Sequence, residues 1–331
     1  MKSSKEGSSV LIVGGAGYIG SHINKLLHQK GYSTVVLDNL VYGHQEAVKW
    51  GVLEIGDLSD VDRLNELFQK YRFQAVFHFA AYAYVGESVK HPAKYYHNNV
   101  ANTLHLLDTM VRYKVRNIIF SSSCATYGVP KDMPITEAME QKPINPYGAS
   151  KLMVERILKD YHNAYGISYL CLRYFNAAGA DPEGEIGESH TPETHLIPLV
   201  LAAAAGEQES VSVFGTEYPT RDGSCVRDYI HVSDLADAHL RAMEYILQGG
   251  ESTCLNLGNG NGNSVLEVVA AAERVTGKKI PVILQEKRAG DPPILIGSME
   301  LAKKLLGWEP HYSKIEKIIE DAWNWYQNKQ Y

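Results

Sequence analysis

Apolar residues along this chain gather in short runs, and stretches with helical spacing separate them. Residues 10–13 are apolar and β-branched, stop at Gly14, and predict a buried strand. Residues 21–30 then read as a helix closed by Gly31. The alternation continues with strands at 33–37 and 52–55, then a helix over 60–71 that carries Asp60 and Asp62 near its positive end. A strand at 75–79, a helical pattern over 92–111, a strand at 117–120, a helix over 147–165 and a strand at 168–173 follow. Such alternation predicts an α/β chain with a Rossmann-type, doubly wound parallel sheet. The texture changes after residue 176. Residues 181–195 are rich in Gly, Pro and Glu and read as a long loop. Short strands at 211–214, 228–231 and 254–257 follow, with helices at 265–276, 298–306 and 315–326. The expected organisation is a loose tail over 1–9, a sheet domain over 10–176, and a smaller mixed α/β lobe over 177–331, with some segments crossing back.

Composition narrows the class. The 331 residues are 45% apolar and 21% charged, ordinary for a globular protein, and the formal net charge of −6 argues against a general nucleic-acid binder. No apolar run approaches the roughly 18 residues of a membrane span, and the opening residues lack an apolar signal core. Cys124, Cys171, Cys225 and Cys254 are scattered without a Cys-x-x-Cys pair, so neither a zinc site nor a disulfide scaffold is indicated. A reducing cytoplasm fits. The 13 histidines form no His-x-x-x-His pair beside an acid on a predicted helix, and no metal is expected.

The candidate chemistry begins at Gly14, Gly17 and Gly20. A strand, a glycine turn and a helix set backbone N–H groups and a helix N-terminus against a phosphate. Alone, that spacing also suits a turn with no ligand. Asp38, about 20 residues on, is placed to accept hydrogen bonds from an adenosine ribose and to repel a 2′-phosphate, which favours NAD over NADP. Its structural alternative is a cap. Asp57 lies where an adenine edge could bind, and Ala80 and Ala81 leave room at a strand's carboxyl end. Asn98 and Asn99 are poor helix formers inside a helical pattern, a cost easier to understand if one of them bonds something. Tyr147 and Lys151 are four residues apart and share a helix face. A nearby ammonium, with the charge of an oxidised nicotinamide, favours a phenolate that can take and return a hydroxyl proton. Ser123 could bond the same substrate oxygen.

In order, Gly-Gly-Ala-Gly-Tyr-Ile-Gly at 14–20, Leu-Asp-Asn-Leu at 37–40, Ser123 and Tyr147 with Lys151 resemble the extended short-chain dehydrogenase/reductase family. His-Phe-Ala-Ala at 78–81, Val-Gly-Glu-Ser-Val at 85–89, Tyr-Tyr-His-Asn-Asn-Val at 95–100, Arg-Tyr-Phe-Asn at 173–176 and the long block 215–232 resemble its UDP-sugar 4-epimerases. The resemblance implies interconversion of UDP-galactose and UDP-glucose through a 4-keto sugar, with tightly held NAD regenerated each turnover. It implies catalytic roles for Tyr147, Lys151 and Ser123. Implied cofactor contacts are Gly14, Gly17, Tyr18, Ile19, Gly20, Asp38, Asn39, Asp57, Leu58, Phe79, Ala80, Ala81, Asn98, Tyr147, Lys151 and Phe175. Implied substrate contacts are Ser123, Tyr147, Asn176, His195, Leu196, Val213, Phe214, Arg227, Arg288, Asp291 and Leu295; the arginines suit a diphosphate. A homodimer pairing the helices near 92–111 and 147–165 is implied too.

Three positions depart from the family pattern. Ala83 and Tyr84 stand where many members place a lysine. His195 replaces a frequent asparagine. Leu295 stands where a bulky or a small residue tunes room for an N-acetyl group, which leaves N-acetylated, pentose and uronate UDP-sugars open. A nucleotide-sugar 4,6-dehydratase would need an acid pair where Cys124 and Ala125 follow Ser123. A non-enzymatic NAD-sensing protein would have no need of Ser123, Tyr147 and Lys151.

Overall fold

The computed structural model describes residues 8–288 and 291–331. Most of the expected tail therefore lies outside the described residues, and Ser9 opens the first strand. The elements run β1 (Ser9–Val13), α1 (Tyr18–Gln29), β2 (Thr34–Asp38), β3 (Val52–Ile55), α2 (Val61–Lys70), β4 (Phe73–His78), α3 (Val85–Lys90), α4 (Pro92–Tyr95), α5 (Asn102–Arg112), β5 (Asn117–Ser123), α6 (Pro146–Tyr165) and β6 (Ser168–Tyr174). They continue with β7 (Asn176–Ala178), α7 (Leu196–Ala205), β8 (Val211–Phe214), β9 (Val226–His231), α8 (Val232–Leu247), β10 (Thr253–Leu257), β11 (Gly262–Ser264), α9 (Val265–Thr276), β12 (Val282–Gln285), β13 (Ile294–Leu295), α10 (Glu300–Leu306) and α11 (Ile315–Gln327). Two compact units divide them. The first comprises the chain up to Gly128, Gln141–Arg173 and Ala236–Leu255, and the second comprises Val129–Glu140, Tyr174–Leu235 and Asn256–Tyr331.

A seven-stranded sheet in the order β10-β6-β5-β4-β1-β2-β3 builds the first unit. The pairs β1–β2, β2–β3, β1–β4 and β4–β5 run parallel. The chain winds outward from β1 to β3, then restarts at β4 on the other side, so the order reverses between β1 and β4. In such sheets the carboxyl ends of the strands at this switch point form the ligand crevice. Leu11, Val13, Val35, Leu37, Val76 and Ile118 pack with Leu106, Met110, Val154 and Leu158 in one core. Each buried side chain of that size contributes about 1.5–3 kcal/mol. Local signals set the helix that matters most. Asn145 caps α6 by accepting from Gly148 N (2.8 Å), Pro146 stands in its first turn, and Gly166 ends it at φ 68°. The helical stretch at 92–111 is not one α-helix: between α4 and α5 the residues Tyr96–Ala101 form a π-helical turn.

The second unit carries two small sheets. In one, β9 lies between β11 and β13 and also pairs β7; in the other, β8 pairs β12 in parallel. Ile197, Val200 and Leu201 of α7 pack with Val268 and Val269 of α9 and Ile318 and Ile319 of α11. A reciprocal capping box of Ser264 and Glu267 starts α9 where the apolar spacing begins. Asp228 is fully buried on β9 and accepts from Asn259 N (2.8 Å), Gly260 N (3.2 Å) and Gly297 N (3.1 Å). Burial pushes its pKa up to about 7 against those three donors. Among the described residues no helix is long and apolar enough to cross a membrane.

Candidate active site

The glycine loop joins β1 to α1 at the switch point. Gly14 has φ +79°, and a Cβ there would lie 2.5 Å from the Ala80 backbone nitrogen. A Cβ on Gly20 would lie 2.4 Å from the Gly14 carbonyl oxygen. The packing of β1, β4 and α1 therefore requires both glycines. Gly17 is different. A Cβ there would meet only the Gly14 oxygen, at 3.4 Å, so the protein's own packing does not demand glycine. Gly17 is the N-cap of α1, makes no side-chain cap, and no acid stands in the first turn. The start of α1 thus presents N–H groups and a bare backbone, as a pyrophosphate requires.

Asp38 ends β2 and is 7% exposed. Its Oδ2 accepts from Ala16 N and its Oδ1 from Leu40 N, both at 2.9 Å. Lone-pair capacity is left for ribose hydroxyls. Burial raises its pKa, and the N–H groups of Leu40, Ala16 and Asn39 oppose the rise. Asn39 Nδ2 donates to Asp57 Oδ2 (2.5 Å), so these two expected adenosine-side residues are joined. Leu58 points its side chain into the core. Phe79 N and Ala80 N both donate to Val13 O, at 2.8 and 3.1 Å, which brings the small residues after β4 against the loop. These residues fit NAD.

The π-helical turn explains the asparagines. Asn99 is buried, accepts from Tyr82 N (2.9 Å), and donates to Tyr82 O (3.0 Å) and Ser150 Oγ (3.1 Å). It ties the segment after β4 to α6. Asn98 donates to Asn99 Oδ1 (3.0 Å) and stays half-buried. The residue that bonds the protein's own frame is therefore Asn99, which the sequence left undistinguished from its neighbour.

β5 runs three residues further than its apolar pattern, so Ser121, Ser122 and Ser123 belong to the strand. Ser123 accepts from Ala125 N (3.2 Å), and its hydroxyl is a neighbour that acts on Tyr147. Tyr147 stands in the first turn of α6. Burial pushes its pKa up to about 12, and the neighbouring Ser123 hydroxyl pulls the other way. Lys151, one turn later and 3% exposed, donates to Ser121 O (2.7 Å). Its Nζ lies 5.8 Å from the Tyr147 ring centroid. Burial pushes its pKa down to about 7, and Glu155 opposes this. In the chain by itself, burial and not an ammonium sets the tyrosine's pKa.

Behind Lys151 lies a buried network that the sequence did not reveal. Arg173 holds Glu155 with two bonds, Nε to Oε1 (2.9 Å) and Nη2 to Oε2 (2.6 Å). Ser122 Oγ donates to Glu155 Oε1 (2.5 Å), and Arg173 Nη1 donates to the Tyr127 hydroxyl (2.8 Å). Residues 147, 151 and 155 lie on one helical stripe, so an acid one turn beyond Lys151 was the available signal.

The residues expected on the sugar-nucleotide side fall in the second unit. Arg227 forms an ion pair with Asp291 and donates to Val226 O (2.8 Å). The Arg288 guanidinium lies 3.8 Å over the Phe214 ring. Leu295 on β13 is in register with Arg227 on β9. Asn176 opens β7, Leu196 opens α7, and Phe175 packs its ring on Gly297. Val213 is fully buried, which leaves its backbone rather than its side chain for a ligand. The His195 ring is fixed at Nδ1 by Glu188 Oε1 (2.9 Å) and Glu193 Oε1 (2.8 Å). These carboxylates hold His195 and His190 above the ordinary imidazole pKa.

The model of the family described as "NAD dependent epimerase/dehydratase family" matches residues 10–258. A UDP-glucose 4-epimerase of Rhizobium meliloti is 52% identical over 324 residues, 98% of each chain. The structure of a UDP-glucose 4-epimerase from Brucella ovis in complex with NAD superposes with a TM-score of 0.94 at 53% identity, covering 96% of this chain and 97% of that one. A UDP-glucose 4-epimerase from Bifidobacterium longum in complex with NAD+ and UDP gives 0.92 at 38% identity, covering 97% and 99%. The chain belongs to the NAD-dependent epimerase/dehydratase family, among its UDP-glucose 4-epimerases.

Proposed function

We propose that this protein interconverts UDP-galactose and UDP-glucose by inverting C4 of the sugar through a 4-keto intermediate. The observation that carries the reading is the placement of Ser123 at the carboxyl end of β5 and Tyr147 in the first turn of α6, with Lys151 buried one helical turn behind the tyrosine and anchored on Ser121 O. Tyr147 takes the proton of the 4-hydroxyl and returns it to the same oxygen after the 4-keto sugar has turned its other face to the cofactor side. Ser123 steadies the same oxygen in both directions. Lys151, anchored on Ser121 O, holds the nicotinamide ribose and lends positive charge to the phenolate. Bound NAD would supply the hydride acceptor for C4 and the hydride donor for its opposite face, so no net oxidation would remain. The glycine loop, Asp38 and Asn39, Asp57, Phe79, Ala80, Ala81, Asn98 and Phe175 hold that cofactor; Asn176, His195, Leu196, the Val213 backbone, Phe214, Arg227, Arg288, Asp291 and Leu295 hold the UDP-sugar. The names of the relatives support UDP-glucose as substrate.

Purified protein incubated with UDP-galactose should yield UDP-glucose. Its absence from protein that still carries NAD overturns the substrate. The same assay on UDP-N-acetylgalactosamine reads how much room Leu295 leaves. We also read the protein as a homodimer that works in the cytoplasm. Four cysteines, none of them in a disulfide, suit a reducing compartment, and exposed Met153 on α6 offers apolar surface for a second copy. Sedimentation should give twice the 36.8 kDa chain mass, and a monomer removes the dimer.

A further inference from the structure

We propose that Glu188, His190, Glu193 and His195 form a binding site for one divalent transition-metal ion, zinc in the first place. The four side chains come from one loop that leads into α7, in the spacing Glu-x-His-x-x-Glu-x-His. One ligand atom from each lies within 4.8 Å of all the others. Around the cluster, histidine nitrogen and glutamate oxygen alternate. Glu188 Oε1 lies 2.9 Å from His195 Nδ1 and 3.1 Å from His190 Nδ1. Glu193 reaches His195 Nδ1 with Oε1 (2.8 Å) and His190 Nδ1 with Oε2 (3.6 Å). Zinc–nitrogen and zinc–oxygen bonds of about 2.0–2.1 Å put neighbouring ligands of a tetrahedral ion about 3.3–3.4 Å apart. The three edges that share single ligand atoms, 2.9, 3.1 and 2.8 Å, fall a few tenths of an ångström inside that value, and the Glu193 Oε2 edge to His190, 3.6 Å, lies just outside it.

Proton counting gives a separate reason. Each Nδ1 carries at most one hydrogen, yet each faces an oxygen of both glutamates. At His195 the two approaches are nearly equal, and a single N–H cannot point at both. A central cation satisfies all four atoms at once, and the displaced Nδ1 protons pass to solvent. Two imidazoles and two carboxylates suit zinc; magnesium and calcium prefer all-oxygen shells. The loop is also held from behind. Trp325 Nε1 donates to Glu188 O (2.9 Å), Tyr331 OH accepts from Gly187 N (3.2 Å), and a Cβ on Gly187 would strike the Trp325 ring at 2.3 Å. Glu193 Oε1 is oriented by Thr194 N (2.7 Å) and His195 N (2.8 Å). Ligands supported in this way bind metal with less reordering. The ion would lock the entry to α7, where His195 and Leu196 stand.

The test is equilibrium dialysis of the full chain, first stripped with a chelator, against zinc and separately against magnesium, with bound metal read by atomic spectroscopy. Wild type should take up one zinc per chain and no magnesium. His190→Gln and the isosteric Glu193→Gln should each weaken zinc binding about tenfold or more. Cobalt in place of zinc should give wild type the visible absorption of a four-coordinate ion, a readout that needs no variant to fold. Absence of bound zinc, a six-coordinate cobalt spectrum, or variants that bind as tightly as wild type overturns the proposal.

Discussion

Tyr147 can accept a proton near neutral pH only if something offsets the burial that raises its pKa to about 12. Within the chain, the Ser123 hydroxyl is the group that opposes it. The rest must come with the ligands, so the residue is idle as a base until the site is filled. Tyr147→Phe should cut turnover about a hundredfold or more while NAD stays bound, measured as kcat alongside cofactor content after gel filtration. Normal turnover removes the assignment. The Tyr147–Lys151 spacing was legible because both residues and their helical separation are written locally. The difference between Asn98 and Asn99 was not, because Asn99 bonds Tyr82 and Ser150, far away in sequence. His195 reads as a lone substitution until the loop folds and brings three more side chains to it.

At the level of elements, α6 is positioned by charge as much as by apolar packing. Glu155 and Arg173 are both nearly sealed from water, and their pair, with Ser122, fastens α6 to β5 and β6. Glu155→Gln leaves Arg173 buried without its counter-charge and should cost about 3–5 kcal/mol, read by urea denaturation. Because Lys151 lies one turn away, kcat should fall as well. On β9, Asp228 has a pKa of about 7, above that of an unfolded carboxyl, so the folded state holds its proton more tightly. Its contribution is fully present below about pH 4 and is lost as pH rises through 7. The stability gap between wild type and Asp228→Asn should therefore be wider at pH 5 than at pH 8, by urea midpoints. Strand positions could be read from apolar runs, and α9 from its capping box. The π-helical turn at Tyr96–Ala101 could not, since one shifted register leaves the apolar spacing almost unchanged. Helix α8 was missed because it starts directly after β9 with no intervening turn signal.

For the whole molecule, the sequence predicted the doubly wound sheet and a division near 176 with some segments crossing back, without naming those segments. The chain passes between the two units at residues 128, 140, 173, 235 and 255. Such interleaving leaves no compositional mark, because each short segment looks like its neighbours. A fragment of residues 1–176 lacks β10 and exposes β6 as a sheet edge. It should aggregate and show no cooperative thermal transition by circular dichroism. A well-folded fragment would contradict this. During synthesis the same arrangement imposes a schedule. The ribosome must release the chain through Leu257 before the sheet gains its last strand, and by then residues 174–235 of the other unit have already emerged. The first unit's chain is complete only near Leu257, and the second's only near Tyr331. Nascent chains of this protein must therefore keep an incomplete sheet edge protected for about 80 residues of translation.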